Sequence, residues 1–227
     1  MAEDASAAEL EWRGEAPVSA RYGDPYWSLE DGLAEARHVH LAAGRLAERM
    51  AGRAAFQVCE LGFGAGLNLL AVLGAARAAG CALRFWSVEA HPMGAAAMAR
   101  ALAVWPELEG TALARAWAAA GEGLRGDAAF SLPGAEVVVA VGTAGARAAE
   151  APMADAWLLD GFAPAKNPQM WGQEVLGAVG RATLPGGSAT TYAAAGAVRR
   201  GLAAAGFEVQ RLAGYGRKRD MTAGWKR

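Results

Sequence analysis

The sequence predicts an α/β sandwich built on a mostly parallel sheet. Three observations carry that expectation. Short apolar runs alternate with helix-like segments along most of the chain. The first clear run ends in a cluster of glycines and opens directly into a helix-like stretch. The length, 227 residues, suits one sizeable domain and is short for two.

Residues 1–20 are polar and rich in Ala and Glu, so a flexible N-terminal segment is expected there. Residues 32–51 place Leu33, Ala36, Val39, Leu41 and Leu46 near helical spacing with charges between them. The run 56–61 reads as a strand, 67–79 as a helix, 83–89 as a strand and 95–104 as a helix stopped by Trp105-Pro106. Residues 107–135 are ambiguous, with helical alanines and a Leu132-Pro133-Gly134 turn. Strands follow at 136–141 and 154–160, with a poor helical patch at 144–150 between them. Residues 170–182 read as a helix, and 187–192 as a strand after the Leu184-Pro185-Gly186 turn. A helix at 196–205 and strands at 207–212 and 219–224 complete the series, giving seven strands in all.

Composition narrows the function classes. Hydrophobic residues make up 54%, but 59 of them are alanines, so the core is of ordinary size. The uncharged runs at 61–76 and 182–198 are short of a membrane span and broken by Gly, Asn, Thr or Pro, so no transmembrane helix is expected. The acidic start lacks the features of a signal peptide. Cys59 and Cys81 with His38, His40 and His91 have no zinc-ligand spacing, and buried thiols in a cytoplasmic protein are expected. The net charge of −1 hides an asymmetry. Residues 1–156 carry 12 arginines against 19 acids, and residues 157–227 carry 10 basic residues against 4 acids. A basic C-terminal third can meet a polyanion, or merely balance the acidic front half.

The sharpest local motif is Glu60-Leu61-Gly62-Phe63-Gly64-Ala65-Gly66-Leu67-Asn68 between a strand and a helix. Glycines let the backbone turn sharply and approach a ligand, and the helix start offers free N–H groups. The spacing is GxGxG. A dinucleotide fingerprint would need glycine in place of Leu67, and no GK[ST] follows for a phosphate loop. Glu89, at the end of the next strand, can accept hydrogen bonds from two ribose hydroxyls. Together these point to a nucleoside cofactor without a pyrophosphate, such as S-adenosylmethionine, against the alternative of a plain structural turn. Glu60 is a candidate for the cofactor's cationic amino-acid end, or else a strand-end carboxylate in water.

Asp160 stands where a strand ends, in the place where open α/β sheets put their ligands. The loop behind it, Gly161-Phe162-Ala163-Pro164-Ala165-Lys166-Asn167-Pro168, is stiffened by two prolines. Phe162 can hold a planar substrate or pack in the core, and Asp160 can serve a substrate or cap its own loop.

These motifs resemble the methyltransferase domain of the bacterial bifunctional enzymes of tRNA 5-methylaminomethyl-2-thiouridine biosynthesis (MnmC type) and their free-standing relatives (MnmD type). The similarity runs from Tyr26-Trp27-Ser28 and Asp31-Gly32-Leu33 through the glycine loop, Trp105-Pro106-Glu107-Leu108 and the DGFAPAKNP stretch at 160–168 with Met170-Trp171. It continues to Val198-Arg199-Arg200-Gly201-Leu202, Ala205-Gly206-Phe207 and Gly216-Arg217-Lys218-Arg219. It implies a Rossmann-like S-adenosylmethionine-dependent methyltransferase fold with a mostly parallel seven-stranded sheet. Residues 21–227 would form a single methyltransferase domain without a flavin oxidase half. The implied activity is N-methylation of the 5-aminomethyl group of 5-aminomethyl-2-thiouridine at a tRNA wobble position.

By the same resemblance, Tyr26, Glu60, Gly62, Gly64, Gly66, Asn68, Glu89, Thr143 and Asp160 would bind the cofactor, with Asp160 facing the amine as the catalytic residue. Phe162, Pro164, Lys166, Arg199, Arg200, Arg217, Lys218 and Arg219 would meet the tRNA anticodon stem-loop. A separate FAD-dependent oxidase is the expected upstream partner, in the cytoplasm. Two departures stand out. Gly142-Thr143 replaces a common Gly-Asp beside the adenine, and Ala193-Ala194-Ala195 replaces residues that tend to include Thr or Ser. A same-fold methyltransferase acting on another amine or small molecule, and a nonenzymatic RNA- or cofactor-binding relative, remain alternatives.

Overall fold

A computed structural model describes residues 7–123 and 126–227. Residues 1–6 of the segment expected to be flexible lie outside the described residues. The rest of that segment is ordered. Strands β1 (Leu10–Arg13) and β2 (Ala16–Ser19) form an antiparallel hairpin around Gly14-Glu15, and β3 (Asp24–Pro25) pairs with β2. Leu10 and Trp12 alternate with exposed Glu11 and Arg13, a strand period too short to stand out in a polar context. Packing decides the outcome: Val18 is buried, and the Arg100 guanidinium lies 3.7 Å from the Trp12 ring centroid.

Residues 32–51 do not form one helix. Helix α1 (Gly32–Ala36), capped by the Asp31 carboxylate on Ala34 N, runs into a π-helical turn at Arg37–Ala42. Helix α2 (Leu46–Met50) starts only after Arg45, which sits in left-handed geometry at φ 52°. The wider π turn is marked by Ala43 N donating to His38 O, five residues back.

Beyond it the chain alternates β4 (Ala55–Leu61), α3 (Leu67–Ala78), β5 (Ala82–Glu89), α4 (Ala95–Leu102) and α5 (Gly110–Ala119). Then come β6 (Ala128–Leu132), β7 (Ala135–Val141), α6 (Ala144–Arg147), β8 (Ala154–Leu159), α7 (Gln173–Arg181), β9 (Thr183–Thr191), α8 (Gly196–Ala204), β10 (Phe207–Ala213) and β11 (Asp220–Lys226). The sheet therefore has eight strands, not seven. The additional one, β6, lies in the stretch left ambiguous and hairpins onto β7 through Pro133-Gly134. Strand β9 begins earlier than expected. The Leu184-Pro185-Gly186 turn survives as an irregularity within it, where pairing with β8 jumps from Ala154–Thr183 to Ala156–Ser188.

The strand order is β10-β11-β9-β8-β4-β5-β7-β6. Strands β4, β5, β7, β8 and β9 are parallel, while β11 and β6 run antiparallel to their neighbours. Central β8 is buried along its whole length, and outermost β10 is buried mainly on one face, the pattern burial dictates for a sheet covered at its centre. Trp117 and Trp157 are wholly buried, with their indole N–H groups donating to Met93 O and Ala182 O. Truncating a buried indole costs roughly 3–5 kcal/mol, so these two rings anchor the packing on the two faces. The chain winds outward from β4 to β5 and β7, then returns to lay β8 on the other side of β4. This reversal opens a crevice at the carboxyl ends of β4 and β8, the position where such sheets bind ligands.

Candidate active site

At that crevice Gly62 and Asp160 meet. Asp160 N donates to Leu61 O, and Gly62 N donates to Val88 O. Gly62 has φ +93°, and a Cβ there would lie 2.2 Å from the Asp160 carbonyl oxygen. No other residue fits without moving one strand end. Gly64 and Gly66 also have positive φ, and Gly66 precedes the first turn of α3. The loop thus turns tightly under a cavity of about 920 Å³, lined by Tyr26, Gly62, Gly64, Asn68, Glu89, Thr143, Asp160, Phe162, Lys166, Arg217 and Lys218 among others.

The floor is acidic. Glu89 Oε2 accepts from Gly64 N and Oε1 from His91 N. Burial pushes its carboxyl up, and the backbone N–H bonds oppose that. A carboxylate has about four acceptor positions. The N–H groups of Gly64, His91 and Ala90 face that of Glu89, which lines the cavity with acceptor capacity left over for a ligand hydroxyl. Tyr26 lines the cavity nearby, its hydroxyl pushed up by burial and by the charge of Glu89.

Glu60 is placed differently from either expectation. It is wholly buried, outside the cavity lining, and neither in water nor open to a ligand's ammonium. Burial pushes its carboxyl to about 8, while bonds from Asn68 Nδ2 and Ser87 Oγ act in the opposite direction. Its task is to orient Asn68, whose amide nitrogen donates to both Glu60 Oε1 at 2.9 Å and Asp160 Oδ2 at 2.6 Å. The Asn68 carbonyl oxygen is left as an acceptor beside the cavity.

Asp160 has a second neighbour that sequence reasoning missed. His40 Nε2 stands 3.9 Å from Asp160 Oδ2, and His40 is 2% exposed. Burial pushes the Asp160 carboxyl up, but His40, Asn68 and the charge of Lys218 outweigh it and hold its pKa below the ordinary value. Asp160 is therefore an anion at neutral pH.

The loop after Asp160 is pinned from several sides. Tyr192 Oη donates to Gly161 O, and Trp171 Nε1 donates to Phe162 O. Ala163 N donates to Asp24, and Lys166 Nζ donates to Asp24 Oδ1 and Gly23 O. Phe162 stacks on Tyr22 at 4.7 Å and meets Tyr26 edge-on at 5.2 Å, which makes an aromatic wall at the mouth. Pro164 lies outside the lining and serves the loop's shape.

The basic candidates divide. Lys166 pairs with Asp24, Arg217 with Glu30 and Lys218 with Glu35, and Lys218 Nζ also lies 3.8 Å from the Tyr192 ring centroid. Arg199 and Arg200 on α8 and Arg219 lie outside the cavity lining and make no ion pair among the described residues. Thr143 caps α6 by accepting from Ala146 N, so its hydroxyl oxygen is engaged and its O–H is what it can offer a ligand. Gly66 supports the loop from behind, where a Cβ would meet Leu113.

An acidic floor, a glycine turn free of side chains and a cavity-lining carboxylate suit a cationic nucleoside. The fold and the site define an S-adenosylmethionine-dependent methyltransferase. A family model described as S-adenosyl-L-methionine-dependent methyltransferase matches residues 111–227, and the chain belongs to this family. Its relatives include the tRNA 5-methylaminomethyl-2-thiouridine biosynthesis bifunctional protein MnmC of Caulobacter vibrioides, 47% identical over 226 residues. The match covers 96% of this chain and 38% of that protein. The protein of the same name from Chromobacterium violaceum is 41% identical, with 97% of this chain and 34% of the relative covered. The chain thus spans well under half the length of these relatives. Among solved structures, MnmC2 from Aquifex aeolicus superposes with a TM-score of 0.75 at 22% identity, covering 96% of this chain and 70% of that one, a likeness of fold. No helix among the described residues is long and apolar enough to cross a membrane.

Replacing Glu89 with alanine should weaken S-adenosylmethionine binding roughly 10- to 100-fold, the loss expected for a charged hydrogen-bond acceptor. Titration calorimetry checks this, and an unchanged Kd would remove Glu89 from the ribose.

Proposed function

We propose that the protein methylates the primary amine of 5-aminomethyl-2-thiouridine at the wobble position of tRNA, giving the 5-methylaminomethyl form. The observation that carries this is the anionic Asp160 carboxylate at the base of a cavity roomy enough for a cofactor and a nucleobase side by side. The names of the full-length relatives support the substrate. S-adenosylmethionine supplies an electrophilic methyl on a sulfonium.

Methyl transfer forms an N–C bond as the C–S bond breaks, and the sulfur keeps the electron pair. The amine must first lose one proton to solvent, because an ammonium has no lone pair. Asp160 is too weak a base to keep that proton. It orients the neutral amine and stabilises the positive charge that grows on nitrogen. Phe162, Tyr22 and Tyr26 form the wall against which a splayed wobble base stacks. Of the basic candidates, Arg199, Arg200 and Arg219 make no ion pair among the described residues and can meet phosphate directly. Lys166, Arg217 and Lys218 must exchange an internal carboxylate for one. The aminomethyl group requires an upstream step, which a separate FAD-dependent oxidase would supply in the cytoplasm.

The test incubates the protein with methyl-labelled S-adenosylmethionine and tRNA from cells lacking the modification, then digests to nucleosides. Label in 5-methylaminomethyl-2-thiouridine is the expected result. Label in another acceptor, or in none, overturns the proposal. Affinity for that tRNA should also fall steeply with salt, by about tenfold or more between 50 and 200 mM, if three or more phosphates are contacted. A filter-binding series that stays flat would remove the basic set from the interface.

A further inference from the structure

We propose that His40 is a positioning residue for Asp160: a buried imidazole, wired to Thr190, that fixes the carboxylate's orientation and tempers its hold on the substrate ammonium. The inference rests on the methyl-transfer reading above.

The geometry is built from three elements. His40 lies on the π-helical turn Arg37–Ala42, and such turns concentrate at functional sites because they aim a side chain that α-helical winding would turn elsewhere. The imidazole lines the cavity although it is 2% exposed. Its Nδ1 lies 2.9 Å from Thr190 Oγ1 on β9, and its Nε2 faces Asp160 Oδ2 at the end of β8. Thr190 has one hydroxyl proton. Its other acceptor, Trp157 O, is 3.5 Å away, at the weak limit of a hydrogen bond. The hydroxyl therefore donates to Nδ1, and the ring proton sits on Nε2, directed at the carboxylate. Asp160 Oδ2 accepts from Asn68 Nδ2 and has the imidazole Nε2 3.9 Å away, an electrostatic contact, so its second oxygen is the one left for the amine.

This arrangement answers a conflict in the chemistry. A lone carboxylate beside an amine favours the unreactive ammonium. A donor directed at that carboxylate draws off part of its charge, and the amine gives up its proton at lower pH. The other ionisable groups around His40 are Glu60 behind Asn68, Glu35 on α1 paired with Lys218, Tyr192 beside Lys218, and His38 on the same turn, whose Nε2 lies 2.9 Å from Ala213 O. None of these pairs directly with the His40 ring in the way Asp160 does.

His40→Phe keeps an aromatic ring in the buried slot and removes both nitrogens. His40→Gln keeps a donor without a ring. The assay follows kcat/KM for methyl transfer from pH 6.5 to 9.5, with S-adenosylmethionine affinity by calorimetry. His40→Phe should lose roughly 10- to 100-fold at pH 7.5 with the cofactor Kd within about threefold. Its activity rise should move to higher pH by about half a unit or more. His40→Gln should recover part of the rate. A His40→Phe protein with unchanged kcat/KM and an unchanged pH profile overturns the proposal.

A second measurement is independent of turnover. The ring nitrogens of His40 are observed by NMR in the unsubstituted protein and in Asp160→Asn. The Nε2 signal should move when the carboxylate is removed, while the Nδ1 signal, set by Thr190, stays. An Nε2 signal indifferent to Asp160 overturns the proposal even if both His40 variants fail to fold. If the unsubstituted protein transfers no methyl to the aminomethyl tRNA, the functional reading fails, and the NMR result still decides the His40–Asp160 coupling.

Discussion

Asp160→Asn should lower kcat by roughly 100- to 1000-fold, the usual loss when a group that stabilises developing charge is removed, while S-adenosylmethionine still binds within about threefold. The side chain keeps its size, so the strand end and the Gly62 contact through the Asp160 backbone persist. What disappears is the anion that Asn68 and His40 hold in place. The pH dependence carries a further sign. Activity should rise with pH in both proteins, because the amine, with a reference pKa near 10.4, reacts only when neutral. The Asp160 carboxyl is held below its ordinary value, so it stays ionised over the whole working range and contributes no step of its own. Removing it makes the ammonium easier to deprotonate. The asparagine variant should therefore start its rise at lower pH yet reach a far lower plateau. Single-turnover kinetics with saturating cofactor would show this, and full activity in Asp160→Ala would exclude the assigned role.

Gly62→Ala should damage both folding and binding. The new Cβ meets the Asp160 carbonyl oxygen at 2.2 Å, and φ +93° strains any L side chain. A cost of about 3 kcal/mol or more corresponds to a fall in Tm of about 6–12 °C for a domain of this size. Because the contact joins the ends of β4 and β8, relief can come only by opening the crevice. Cofactor affinity should then drop at least about tenfold. Gly74→Ala is the matched control. It lies within α3 with nothing within 4 Å of the added methyl, and should be neutral or stabilise by about 0.5–1 kcal/mol. Calorimetric melting of the two variants, with and without S-adenosylmethionine, separates them. Equal behaviour would mean that the Gly62 approach to Asp160 is not tight.

Much of this arrangement was legible in the chain. The strand–glycine–helix unit at β4, the loop and α3 is local: its apolar run, its turn residues and its helix lie within a few residues of one another, and they came out as read. Glu89 and Asp160 were placed by a rule of topology, that parallel strands deliver their carboxyl ends to one edge. The eighth strand was harder to read. Residues 128–132 alternate weakly and become a strand only by pairing with β7. The N-terminal hairpin likewise depends on Trp12 and Val18 finding a surface supplied by later residues.

The site shows the same division more sharply. Glu60 reads in sequence as a strand-end acid open to a ligand, yet its strand is covered on both faces and the carboxylate turns inward to Asn68. His40 sits in what reads as a continuous helix, and its partner Thr190 is 150 residues away. No local pattern announces either contact. The two basic stretches were visible as charge, but only the folded chain shows that Lys166, Arg217 and Lys218 already hold carboxylates of the N-terminal region.

The sequence by itself determined which backbone turns are possible and which residues stand at strand ends, because glycine conformations and strand periods are properties of neighbouring residues. Tertiary structure decided which carboxylates remain anions, which are buried as struts and which cations are free. Those outcomes depend on burial and on charges brought together from distant parts of the chain.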